Sequence, residues 1–143
     1  MPPKKRPEKS THRPSDGEIC GKVSGAIAAL EAKPPHFKIV AHKHDERAFR
    51  FLGVSNIADV LSWTLVFLKE IQEIGPTKCF ISHGKAERCT EPKFSDIFLF
   101  PYVFKSLHFE EKVYLKFGIR KSTMIQDPPH YYCHLDLHDS DYA

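Results

Sequence analysis

Three residues near the end of the chain have types and spacing that could carry out chemistry. The segment "YYCHLDLHDSDYA" places His134, Asp136 and His138 at alternate positions. If this segment is a strand, alternate residues lie on one face and these side chains are neighbours. Imidazole and carboxylate groups bind metal ions, and imidazole also transfers protons near neutral pH. The spacing therefore indicates either a metal site or an acid–base site on the last strand.

A second segment, "KVYLKFGIR", alternates in the same way between apolar and polar residues. Its polar positions are Tyr114, Lys116 and Arg120. Only the loop "KSTMIQDPP" separates it from the last segment, so the two are predicted to pair as an antiparallel hairpin. A register centred in that loop would set Lys116 beside His134 and Tyr114 beside Asp136.

In this hairpin, all the polar side chains are predicted to share one open face. Tyr131, Cys133, Leu135 and Leu137 would point into the core, and Tyr132 would point outwards with the two histidines of the segment. Histidine, lysine, arginine and tyrosine together are the residue types that position a phosphate and move protons. The face therefore resembles a binding or catalytic surface more than an ordinary solvated one.

The rest of the sequence predicts the elements that hold these two strands. Helical spacing of apolar residues and capping signals predict helices, and short β-rich runs predict strands. The predicted helices are 18–33, 45–53 and 55–75, and the predicted strands are 36–41, 77–82, 94–104, 112–120 and 130–138. Pro101 should break its strand or lie at the sheet margin. Helices followed by strands indicate an α+β domain whose N-terminal helices pack on a C-terminal antiparallel sheet.

Composition limits the domain organisation and the class of protein. The chain has 143 residues, enough for one domain, predicted at residues 18–143. Residues 1–17 contain five basic and two acidic residues, which is the whole net charge of +3, and their proline content predicts a disordered basic tail. No apolar run is long enough for a membrane span, so we expect a cytoplasmic protein. Four cysteines without paired spacing are expected to be free thiols.

Beyond these patterns, the order of several short motifs resembles that of a known family. "RAFRFLGVSNIADVLSWTLVFLKEI" is followed by Lys78, then "FSDIF", "VYLKFGI" and finally "LDLHD". This order over residues 45–139 is similar to that of the MqsR-like bacterial toxins, which belong to the RelE-like ribonucleases. Ser95 stands where that family often has glutamine, and Leu137 where it usually has phenylalanine.

The resemblance implies an endoribonuclease that needs no metal or other cofactor and that has a protein antitoxin as its partner. Such enzymes drive the ribose 2′-OH onto the adjacent phosphate, which requires cations, a base and an acid. His138 is the expected acid–base residue, with Tyr114 or His134 as its partner. The expected cations are Lys78, Lys116 and Arg120, and the remaining substrate-binding candidates are Ser95, His134 and Asp136.

Two alternatives stay open at the level of sequence. The H-x-D-x-H spacing of residues 134–138 could hold zinc or manganese in a metal-dependent hydrolase, although three alternate strand residues converge on one ion only with strain or a bulge. The aromatic run "DIFLFPYVF" could instead be a base-stacking platform or a protein interface of a binding module without catalysis. Burial of Phe98, Phe100 and Tyr102 would favour a core role for these rings.

Overall fold

A computed structural model describes residues 13–81, 87–122 and 128–140, and it shows a layer of helices on one face of a sheet. The helices are α1 (Asp16–Glu31), α2 (Asp45–Leu52), α3 (Ile57–Ile74) and α4 (Pro76–Cys79). The strands are β1 (Phe37–Ile39), β2 (Glu87–Arg88), β3 (Phe98–Lys105), β4 (Lys112–Lys121) and β5 (His130–Ser140). The α+β class predicted from sequence is confirmed.

The helices begin and end at residues with clear local causes. Ser15 and Glu18 form a capping box at the start of α1, so each satisfies a backbone N–H that the helix leaves unpaired. The side chain of Asn56 caps α3 by accepting from the Asp59 N–H. Gly53 ends α2 in the left-handed conformation, with φ of 69°, which glycine adopts without a steric penalty.

The predicted tail needs a small correction at its inner end. Residues 1–12 lie outside the described residues, while Asp16 and Gly17, the last of the predicted tail, belong to α1. In the described parts of the chain, no single helix is both long and apolar enough to cross a membrane. The bent pair His42–Leu52 and Ile57–Ile74 meets that criterion only in combination, by length and composition.

The sheet is mixed and not purely antiparallel, which corrects the prediction. Its strand order is β1-β5-β4-β3-β2. β1 runs parallel to β5 and pairs with Tyr132–His134, whereas the other pairs are antiparallel. Beyond His134 the outer side of β5 is packed against a 3₁₀ turn, His42–His44, and α2. This arrangement brings the start of α2 to the second half of the last strand.

On the outer side of the sheet, the strand predicted at 77–82 is not formed by its described residues 77–81, whereas Pro101 lies at the sheet margin as expected. The segment predicted as a strand at 77–82 contains the end of α4, since Pro76 is favourable at a first helical position, and only Phe80 makes an isolated bridge to Tyr102. β3 continues through Pro101 without a break. The Pro101 carbonyl accepts a hydrogen bond from the Ile81 N–H at the outer edge of β3. The ring nitrogen of Pro101 faces the same edge, where the sheet requires no backbone N–H from this residue.

The most consequential difference from the prediction is a β-bulge in the last strand. Lys116 pairs with Asp136, but Phe117 pairs with His134, so Leu135 is an extra residue on β5. One extra residue moves the following side chains to the opposite face. The side chains in the first half of β5 therefore point to the faces opposite to those that the alternation predicted.

Both faces of the sheet carry apolar clusters as a result. The main core lies between sheet and helices and includes Phe117, Tyr132 and Leu137. A smaller cluster on the other face includes Cys133 and Leu135, covered by residues 89–97 and 40–41. The face of the sheet opposite the helices is called the open face below. Its uncovered part lies between residues 89–97, residues 40–41 and the second half of β5.

Candidate active site

The open face brings together a histidine, a carboxylate and an aromatic ring at the start of β4 and the end of β5. Tyr114 pairs with His138, and Lys116 pairs with Asp136, so the four side chains occupy two neighbouring rows. The Tyr114 and His138 rings are stacked, with centroids 4.7 Å apart and an interplanar angle of 18°. His138 Nε2 lies 3.5 Å from Asp136 Oδ2. The predicted register is thus two residues off, but the predicted neighbourhood of Tyr114, Lys116, Asp136 and His138 is present.

Both nitrogens of His138 face acceptors. Its Nδ1–H donates to the backbone carbonyl of Asp139, while Nε2 faces the carboxylate of Asp136. The hydrogen bond to Asp136, despite the opposing effect of burial, raises the pKa of His138 above its ordinary value. The protonated imidazole is therefore favoured, as a general acid requires.

Asp136 is nearly buried and is held in its charged form by its neighbours. Burial alone would raise the pKa of Asp136, but the hydrogen bond from His138 and the charges of His138, His44 and Arg47 outweigh it and lower the pKa. Arg47 Nη1 lies 3.5 Å from Asp136 Oδ2, so α2 contributes a cation to the same carboxylate. Asp136 therefore orients His138 and raises its pKa. Asp136 is not itself a proton donor near neutral pH.

Lys116 lies at the edge of a recess next to these groups. The recess has a volume of about 130 Å³. Its polar lining comes from the 3₁₀ turn before α2, from β4 and from the segment that follows β2. The residues that line it are Lys43, His44, Arg88, Cys89, Thr90, Glu91, Leu99, Lys116 and Leu135. Three permanent cations face one carboxylate there, so an anion is favoured in the recess.

His134 does not belong to the open face, which corrects the prediction. It is fully buried beside Tyr132, whose hydroxyl lies 2.7 Å from His134 Nδ1. Burial raises the pKa of Tyr132, so this hydroxyl keeps its proton in its hydrogen bond with Nδ1. Burial lowers the pKa of His134 to about 4, against the opposing charges of Asp45 and Asp136. His134 is therefore neutral and is not available as the partner of His138.

The bulge also removes the geometry on which the metal hypothesis depends. His134 points to the helical side, while Asp136 and His138 lie on the open face. Within residues 13–81, 87–122 and 128–140, no group of three histidine, cysteine or acidic side chains is placed to hold a metal ion. The alternative H-x-D-x-H cage is not formed by these residues.

Arg120 and Ser95 lie on the open face but serve mainly to hold its covering segment. The guanidinium of Arg120 makes two contacts with the carboxylate of Asp96, one of them 3.2 Å from Nε to Oδ2, and lies 4.6 Å from the ring centroid of Phe94. The exposed Ser95 accepts through its carbonyl from Arg88 Nε. The side chain of Arg120 therefore has structural partners within the chain, whereas Ser95 takes part through its backbone carbonyl.

Lys78 is separated from the other predicted catalytic residues. It lies exposed on α4, which packs on α1, α3 and the outer strand β3. The buried residues of α4 belong to the main core on the helical side. β3 stands between this helix and the Tyr114 row, so the structure does not bring Lys78 together with His138.

The aromatic run that could have been a stacking platform is mostly core. Phe100, Tyr102 and Phe104 are buried against the helices, and the Tyr102 hydroxyl donates to the Ile19 carbonyl at 2.8 Å. The rings are therefore not accessible to bases, and the platform alternative is wrong for these residues.

Several residues of the site were missed in the sequence. They are Lys43, His44, Arg47 and Arg88. The segment "AHKHDERAF" shows an unusual concentration of histidine and basic residues before a helix, which was the available signal. Its position against β5 depends on parallel pairing between β1 and β5, which short-range patterns do not reveal.

The open face thus combines an imidazole whose pKa is raised, an orienting carboxylate and a cationic recess. These groups can hold an anionic ester and donate a proton to a leaving oxygen. Comparisons of the chain with protein-family models, with curated proteins and with solved structures find no match.

Proposed function

We propose that this protein is an endoribonuclease that cleaves RNA by attack of the ribose 2′-OH on the adjacent phosphate, without a metal cofactor. The observation that carries the proposal is the position of His138, oriented by Asp136 and stacked on Tyr114, one row from Lys116. The resemblance to MqsR-like toxins supports the same reaction. It also supports a biological role as a bacterial toxin with a cognate antitoxin.

In the proposed reaction, His138 is the general acid. Its imidazolium donates a proton to the 5′ oxygen as that oxygen leaves, and Asp136 stabilises the charged ring before transfer. Lys116 stabilises the negative charge that develops on the phosphorane oxygens. The products are a 2′,3′-cyclic phosphate and a free 5′-hydroxyl, since the internal 2′-OH is the nucleophile.

The base for the 2′-OH in this proposal is His44. It lines the recess with Lys116 and lies close enough to Asp136 to interact with it electrostatically, so it stands near both the carboxylate and the lysine. The base must be neutral while His138 is protonated. Cleavage is therefore expected to decline as the pH rises through the raised pKa of His138, where the general acid loses its proton.

The decisive experiment measures cleavage of a mixed-sequence RNA by purified variants whose melting curves match the wild type. His138→Gln should lower the rate by about 10²–10⁴-fold, the usual range for a lost general acid. Lys116→Ala should also lower the rate, whereas Lys69→Ala, on the helical layer, should not. Cleavage should persist in excess EDTA and leave cyclic phosphate ends.

Two results would overturn this proposal. One is a folded His138→Gln variant that cleaves as fast as the wild type. The other is activity that EDTA abolishes and zinc or manganese restores. A folded wild-type protein that binds RNA but cleaves none would favour a binding module in place of an enzyme.

A further inference from the structure

We infer that the recess beside Lys116 is a binding subsite for a phosphate of the RNA strand next to the one that is cleaved. The inference rests on the proposed function for the identity of the strand, but the anion-binding chemistry belongs to the recess itself. The geometry points to this use because the recess is cationic, partly enclosed and adjacent to the His138 row.

The size and lining of the recess fit a phosphate group. A single water molecule needs about 10–15 Å³ of such space, so a volume of about 130 Å³ has room for a tetrahedral oxyanion. Arg88, Lys43 and Lys116 supply ammonium and guanidinium donors from three separate parts of the chain. Guanidinium and ammonium groups form charge-assisted hydrogen bonds with phosphate oxygens.

The base of the recess strengthens these charges. Leu99, Leu135 and Cys89 are almost fully buried and form an apolar floor. Charges above a low-dielectric floor attract an anion more strongly than they do in open water. Burial raises the pKa of the Cys89 thiol, with Lys116 and Arg120 acting in the opposite direction, so the thiol is neutral and does not repel an anion. Glu91 is the acidic residue of the lining, and it leaves the permanent charge positive.

Lys116 connects the recess with the proposed catalytic row. It pairs with Asp136 and lies one row from Tyr114 and His138, which is about 7 Å along a strand. That separation is comparable with the spacing of neighbouring phosphates in an extended single strand of RNA. An RNA strand could therefore place one phosphate at His138 and the next in the recess.

The bulge is part of this construction. Leu135, the extra residue of β5, lies on the open face and contributes to the floor of the recess, while Asp136 keeps its place opposite Lys116. Bulges commonly re-aim side chains next to functional sites. The same irregularity thus buries His134 and forms the floor on which an anion would lie.

The experiment uses the full chain and a 2′-O-methyl RNA hexamer, which lacks the nucleophile and cannot be cleaved. Arg88→Ala and Lys43→Ala should each weaken its binding about tenfold, equivalent to about 1.4 kcal/mol, and reduce the slope of log affinity against log salt by about one. With cleavable RNA, both variants should raise KM and leave kcat unchanged. Lys69→Ala removes one positive charge from the helical layer and is the control.

Structural damage can be separated from lost binding. Arg88 also contacts the Ser95 carbonyl, so Arg88→Lys, which keeps the charge, should retain most of the affinity. Titration of wild-type protein with inorganic phosphate should move the NMR signals of His44 before those of His138. Unchanged NMR signals at both histidines, or equal changes of the signals across the whole surface, would contradict the phosphate subsite.

The two proposals can fail independently. If RNA is cleaved but Arg88→Ala and Lys43→Ala bind the hexamer as tightly as Lys69→Ala does, the recess is not a phosphate subsite. If those two variants lose affinity but wild-type protein cleaves no RNA, the recess binds the strand and the enzyme proposal fails.

Discussion

Two histidines four residues apart on β5 have opposite environments. His134 is fully buried among core residues, and burial lowers its pKa to about 4. His138 is only partly buried on the open face, and its hydrogen bond to Asp136 raises its pKa. One side chain is thus a neutral part of the core, and the other is a group at the proposed active site whose pKa is raised. The residue type alone does not determine which role a histidine takes.

The difference arises from one residue of backbone. Without the bulge at Leu135, alternate residues 134, 136 and 138 would share a face, as the sequence suggests. With it, His134 joins the face of Tyr132, and only Asp136 and His138 remain beside Lys116. The bulge therefore separates a structural histidine from a functional one.

The largest expected effect concerns stability at acidic pH. The unfolded chain binds a proton at His134 near pH 6.5, whereas the folded chain does so only near pH 4. The unfolded state therefore holds more protons between these values, and the free energy of unfolding falls as the pH falls. His134 should account for about 3 kcal/mol of that loss between pH 7 and pH 4.

Urea denaturation of the wild type and of His134→Gln at pH 7 and pH 4 measures this contribution. The glutamine amide can donate or accept in the hydrogen bond with Tyr132 but does not titrate between pH 7 and pH 4. The variant should lose less stability on acidification than the wild type does. His108→Gln, which removes an exposed histidine, controls for the loss of one imidazole from the unfolded chain. Equal pH dependence in the wild type and His134→Gln would contradict the burial of a neutral His134.

The second prediction tests the cause of the raised pKa at His138. Asp136→Asn removes the carboxylate that is the main cause, so the pKa of His138 measured by NMR titration should fall. In the wild type, the raised pKa contributes stability that is present below about pH 6.5 and lost as the pH rises through the folded value. The variant should lack this contribution, and the limb of the cleavage profile that belongs to His138 should move to lower pH.

Asp139→Asn is the matched control for this measurement. It removes an exposed carboxylate from the position that follows His138 but keeps the backbone carbonyl that accepts from His138. The pKa of His138 should stay close to the wild-type value. A similar fall in both variants would show that general negative charge, and not the contact with Asp136, raises the pKa.

The success of sequence reasoning differed between these two histidines for a physical reason. Periodicity located both strands and placed Tyr114, Lys116, Asp136 and His138 on one face, because regular alternation holds on each side of the bulge. It misplaced His134 because a bulge has no distinct signal in "CHLDL", where a polar residue at every second position imitates an uninterrupted strand.

Residues from distant segments were beyond the reach of periodicity. Arg47 and His44 approach Asp136 only because β1 pairs in parallel with β5 and leads into the 3₁₀ turn and α2. Arg120 was expected at the substrate, but its contacts with Asp96 depend on a loop that folds over the sheet. Local patterns predict elements and faces, whereas partners across the sheet follow from the tertiary arrangement.

The smallest expected effect concerns the ring that lies on His138. The stack between Tyr114 and His138, with centroids 4.7 Å apart, should contribute about 0.5–1.5 kcal/mol. Tyr114→Phe keeps the stacked ring and Tyr114→Leu removes it, so Tyr114→Leu should be less stable than Tyr114→Phe by that amount in urea denaturation. Because the ring limits the orientations of His138, Tyr114→Leu should also cleave RNA more slowly than Tyr114→Phe does. Equal stability and equal rates would show that the stack does not orient His138. If Tyr114→Phe instead cleaves RNA as slowly as His138→Gln does, the phenol hydroxyl takes part in the reaction. The open face would then carry two proton-transferring groups, Tyr114 and His138, whereas the buried half of β5 carries none.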